Sequence, residues 1–137
     1  MKAIPRTCWK WFGDPGHFIC GQWCRFHLTT QVGKVLVSTL GRYVHPRHSA
    51  GSGKADGEYL AKNINGDEIG FCRTYETMVF VAGFTCRSEL SGCGMPDTVR
   101  PGIDMRGYND AGAATRGHLA MCRRWASAAK QKKAVKP

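Results

Sequence analysis

No apolar run in this chain approaches the ~18 residues that a membrane-spanning helix needs. The opening stretch, MKAIPRTCWKWFGDPG, lacks the roughly 7–15-residue apolar centre of a signal peptide, so the expectation is a cytoplasmic protein without a membrane partner. Catalytic signatures are missing too. There is no H-E-x-x-H, no G-x-S-x-G and no dinucleotide-binding glycine fingerprint. Gly51-Ser52-Gly53-Lys54 falls short of a phosphate loop, because position 48 is His where a Gly is required and Ala55 follows the lysine. No internal repeat is present. These absences argue against an enzyme and against a membrane protein.

Acids are also scarce. Ten Asp and Glu stand against twenty Lys and Arg, leaving a net charge of +10 on 137 residues. The excess is uneven: from Arg123 onward come Arg123, Arg124, Lys130, Lys132, Lys133 and Lys136 with no acid. Such a balance steers a protein toward nucleic acid, phosphate-rich ligands or an acidic protein surface. The bland alternative is solubility plus a solvated tail. A chain of this length is expected to form one domain, here residues 1–130, with 131–137 as a basic flexible tail.

Hydrophobic patterning points to strands first and a helix last. In CRFHLTTQVGKVLVSTLGRYV, β-branched and aromatic residues dominate, and Val32-Gly33-Lys34 offers a turn between two strands. Residues 45–57 (HPRHSAGSGKADG) carry nothing large and apolar and read as a loop. Asn65-Gly66 is a hairpin signal. Tyr75, Thr77, Val79 and Val81 alternate with Glu76, Met78 and Phe80, and both sets contain apolar groups, as in a central strand. Residues 85–104 read as a Gly- and Pro-punctuated loop. Asn109 or Asp110 can cap a helix from about Ala111 to Lys130, with a buried stripe of Ala114, His118, Met121, Cys122, Trp125 and Ala129. Arg116, Arg123 and Arg124 lie off that stripe. The expected fold is α+β: an antiparallel β-sheet of about four strands packed by one long C-terminal helix.

Seven cysteines are many for a reducing compartment, where they serve metal binding or buried packing more often than disulfides. His118 and Cys122 sit one helical turn apart, and Cys86 and Cys93 lie in a loop able to bend around an ion. Together Cys86, Cys93, His118 and Cys122 make a four-ligand nitrogen–sulfur set of the kind zinc prefers. Helix packing explains His118 and Cys122 equally well without metal. A second group, His17, Cys20, Cys24 and His27, leans toward packing, because a strand starting at Cys24 turns Cys24 and His27 to opposite faces.

Three runs carry a family resemblance: VGKVLVSTLGRYV, IGFCRTYETMVF and GYNDAGAATRGHLAMCRRW. With Val37-Ser38-Thr39, Tyr75–Phe80, Tyr108 and Gly117-His118-x-x-Met121, the chain resembles a group of small uncharacterised bacteriophage proteins. The likeness covers about half the chain and omits the Cys- and Trp-rich first 27 residues and the basic end. It implies a phage accessory product in the infected bacterial cytoplasm, acting on host takeover or defence.

Joined to the charge pattern, it yields the expected function: a non-enzymatic protein that binds nucleic acid, or a host nucleic-acid–protein complex. The candidate contacts are Arg116, Arg123, Arg124, Lys130, Lys132 and Lys133, extended by Arg42, Arg47 and Lys54. Trp9 and Trp11 would stack bases if exposed and anchor the core if buried. The rivals are a protein–protein inhibitor docking its basic face on an acidic host protein, and a Cys/His enzyme.

Overall fold

The computed structural model describes residues 2–12, 24–44, 58, 62, 66, 68–69, 72–85, 96–98 and 102–135. Arg47, Lys54, Cys86, Cys93, His17 and Cys20, named above as candidates, lie outside that set, as does Asn65 of the expected Asn65-Gly66 turn.

The β-branched runs form the sheet. Strands β1 (Lys10–Phe12), β2 (Cys24–Val32), β3 (Val35–Tyr43), β4 (Tyr75–Thr85) and β5 (Pro96–Thr98) lie in that spatial order. A sixth, β6 (Asp104–Tyr108), pairs with the first half of β4, on the edge where β5 pairs with the second half. Every pairing is antiparallel. β2 and β3 are joined by a two-residue turn in which Gly33 supplies the required positive φ, +60°. The sheet is thus the expected antiparallel one, with β4 central. It gains short strands at both margins, including β5 and the start of β6 within the segment expected to be a loop.

The register lines residues up in rows across one face. Trp11, Thr30, Val37, Val79 and Asp104 form one row. Leu28, Thr39, Thr77 and Arg106 form the next, and Phe26, Gly41, Tyr75 and Tyr108 the third. On this face Val32, Val35, Val37 and Val79 are fully buried, each worth about 1.5–3 kcal/mol of transfer free energy. Gly41 leaves the room that the Tyr75 ring occupies, and Phe26 meets that ring edge-on at 5.2 Å.

Helix α1 (Ala111–Trp125) lies across these rows. Asp110 caps it: the Ala113 N–H donates to Asp110 Oδ1 at 2.8 Å. Its buried residues are Ala114, His118, Met121, Cys122 and Trp125, and they close the core with Trp9, Ile4 and the sheet valines.

The helix expected to run to Lys130 stops at Trp125, and a second, α2 (Ala128–Val135), follows. The N-terminal segment explains the break. The Ile4 N–H donates to the Ala126 carbonyl at 2.6 Å, and Ala3 bridges to Ser127, so the chain at the junction pairs as a strand would. Ser127 then accepts from the Lys130 N–H at 3.3 Å and caps the new helix. The segment expected to be a tail from residue 131 is helical as far as Val135, and Gln131 is buried. Ala129, placed in the buried stripe by a one-helix pattern, is exposed. Among the described residues no helix is long and apolar enough to cross a membrane.

Candidate nucleic-acid interface

Alternation along β6 turns Asp104, Arg106 and Tyr108 toward the helix-bearing face, in successive rows beside β4. Because β6 lies beyond β4, its side chains flank α1 instead of lying beneath it. Between strand and helix runs a groove of about 410 Å³, lined by Arg106, Gly107, Tyr108, Arg116, Gly117, Ala120, Met121 and Arg124. Gly117 is a packing requirement. A Cβ at that position would overlap the Tyr108 phenol ring, so glycine lets the tyrosine lie against the helix backbone and form a wall of the groove.

Burial raises the Tyr108 phenol pKa, opposed by a hydrogen bond from Thr77 and by the Arg106 charge, so the phenol stays neutral at pH 7. The groove's charge is therefore set by its guanidinium groups. Asp104 offsets one of them: its Oδ2 is 3.4 Å from Arg124 Nε and accepts from Trp125 Nε1 at 2.8 Å. With the Arg124 side chain more than half exposed, that pair contributes at most about 1 kcal/mol.

The expected contact residues divide cleanly. Arg116 and Arg124 line the groove, Arg123 is exposed beside them on α1, and Lys132 and Lys133 are exposed on α2. The Lys130 ammonium sits 4.7 Å from the centre of the Trp125 ring, a cation–π contact. Arg106 was missed because a five-residue strand between Gly/Pro-rich sequence and a helix cap carries almost no periodic signal. Its one clue is the alternation Asp104-x-Arg106-x-Tyr108 leading into the cap.

His118 and Cys122 share the buried side of α1. Both ring nitrogens of His118 are engaged: Nε2 with Thr30 Oγ1 at 2.8 Å, and Nδ1 with Thr39 Oγ1 at 2.7 Å. Thr39 Oγ1 also meets Thr77 Oγ1 at 2.6 Å, and Thr77 in turn bonds Tyr108. A metal ion at His118 would have to displace one of these hydroxyls. Burial lowers the His118 pKa to about 4 and pushes the Cys122 thiol up to about 12, so both are neutral at pH 7 and Cys122 is no thiolate nucleophile. Among the described residues no three His, Cys, Asp or Glu side chains gather closely enough to hold a metal. Of the four expected zinc ligands, only the helical pair falls within them.

Cys24 and His27 both lie in β2, three residues apart and hence on opposite faces. On the face away from α1, His27 Nδ1, Thr29 Oγ1 and Ser38 Oγ are buried without a hydrogen-bond partner among the described residues. No protein-family model matches this chain, and neither the curated proteins nor the solved structures contain a match to it.

Proposed function

We propose that this protein is a non-enzymatic nucleic-acid-binding protein that grips the phosphate backbone in the groove between β6 and α1. The carrying observation is the convergence of Arg106, Arg116 and Arg124 on one concave surface. Guanidinium forks bond phosphate oxygens two at a time, and bonds of that kind fix a backbone without reading its bases. From Ala111 to Val135 the chain has six cations and no acid, so Arg123 and the α2 lysines continue the same field.

In the setting that the bacteriophage resemblance implies, the target is nucleic acid, or a nucleic-acid-containing complex, of the infected host. Backbone binding is sequence-tolerant and falls steeply with salt, because each phosphate neutralised releases counterions. Titration of fluorescent single- and double-stranded DNA and RNA is the test. Binding detectable at about 50 mM salt, and weakening linearly in log–log form as salt rises, is the expected result. No binding to any of the four would overturn the proposal. A partner captured from nuclease-treated host lysate would then favour an acidic protein.

A further inference from the structure

The two N-terminal tryptophans part company. Trp9 is 8% exposed and belongs to the core, whereas Trp11 is 52% exposed. Trp11 is nevertheless held in place. Its strand pairs with β2 so that Trp11 faces Thr30, the residue bonded to His118. Its ring lies 6.3 Å from the Trp9 ring and 6.1 Å from the His118 ring, tilted by 48° and 43°. An indole braced by two rings and still half open is a preorganised surface, which lowers the ordering cost of whatever stacks on it.

The chain segment that carries it is cationic. Residues 2–12 contain Lys2, Arg6 and Lys10 and no acid, and all three cations are exposed. The Arg6 guanidinium lies 5.8 Å from the Trp9 ring. A flat π-face with a guanidinium on the ring beside it fits a ligand that is itself flat, aromatic and anionically tethered.

We infer that Trp11 is a stacking platform for an unpaired nucleobase, with Arg6 receiving a neighbouring phosphate. This rests on the function proposed above and narrows it to single strands, because duplex bases keep their faces inside their own stack. Trp11 and Asp104 end the same row, four strand spacings or about 19 Å apart, and Arg106 stands in the adjacent row. A single strand joining the platform to the arginine groove would cross α1, where Arg123 is exposed.

The experiment compares a fluorescein-labelled oligothymidylate with a labelled duplex of the same length, against the wild type, W11A, W11F and R106A/R116A. W11A should weaken single-strand binding roughly 5- to 150-fold, the range that one base–aromatic stack supplies, and leave duplex binding unchanged. W11F should recover most of the affinity, which a merely structural defect would not allow. R106A/R116A should weaken both ligands. Single-strand affinity within twofold of wild type in W11A, or equal losses on both ligands, overturns the inference while leaving the groove intact. Failure of the wild type to bind either ligand overturns both.

Discussion

Thr39 Oγ1 stands 2.7 Å from His118 Nδ1 and 2.6 Å from Thr77 Oγ1, so one hydroxyl ties the helix to the two central strands of the sheet. The imidazole it holds is buried and neutral. In the unfolded chain the same ring has its ordinary pKa of 6.5, against about 4 when folded. The unfolded state therefore binds the proton first as pH falls, and folding loses free energy between those two values.

Stability is predicted to be unaffected by His118 above pH 6.5 and to decline below it, by about 3 kcal/mol once pH reaches 4. Urea denaturation at pH 7.5, 5.5 and 4.5 measures the effect. H118L removes the titration, so its stability should be flatter over that interval. It should also be lower than wild type at pH 7.5 by about 2–5 kcal/mol, because Thr30 and Thr39 lose their shared partner. A wild-type profile as flat as that of H118L would contradict the assignment.

In the arginine groove, exposure separates affinity from stability. Arg106 and Arg116 are exposed, so R106A and R116A should each shift folding stability by no more than about 0.5 kcal/mol. Each should lower the slope of log affinity against log salt by about 1, as happens when one fewer phosphate is neutralised. Asp104 gives the opposite sign. D104N removes the carboxylate beside Arg124 and should tighten binding and steepen the slope. The same substitution should cost about 1–2 kcal/mol of stability, because Asp104 accepts from both Trp125 Nε1 and the Met105 N–H and asparagine offers one acceptor.

Gly117 tests whether the groove's shape matters as well as its charge. G117A keeps every cation but forces the Tyr108 ring away from the helix. Overpacking of this kind should cost about 1–3 kcal/mol. Affinity should fall as well, with the salt slope unchanged, because the number of arginines is unchanged. Pairing G117A with Y108A should restore stability in part, since removing the ring makes room for the added methyl group.

Long periodic segments were legible in the sequence, and short or relational ones were not. β2, β3 and β4 announce themselves because nine to eleven residues of alternation repeat the same choice many times. The Asp110 cap and the stripe from Ala114 to Trp125 are equally plain. β6 offers five residues, and three of its side chains acquire meaning only from the rows they join. Half the groove was visible, as arginines off the helix stripe; the strand that supplies the other half was not. The helix break is relational too. Ser127 is a fair cap signal, yet nothing in Trp125–Lys130 shows that Lys2–Ile4 pairs there. His118 and Cys122 fit both a zinc pair and a packed core. Only the hydroxyls facing the imidazole, from strands far away in the chain, show how it is used.

Gln131 shows why α2 is not a free tail. Its Nε2 donates to the Val32 carbonyl and to the Trp125 carbonyl, each at 2.7 Å. Its Oε1 accepts from the Lys34 N–H at 2.9 Å. One buried amide therefore joins α2, the end of α1 and the β2–β3 turn. Q131A leaves two carbonyls and an N–H at that junction without these partners, and the predicted cost is about 2–4 kcal/mol. Local effects should exceed global ones. Limited trypsin digestion should cut the folded wild type slowly after Lys130, Lys132 and Lys133, and cut Q131A there first, while sites within α1 stay protected. Equal cleavage in both proteins would mean that α2 is released independently of Gln131. The lysines of α2 would then contribute to nucleic-acid binding as a solvated tail, without a fixed place beside the groove.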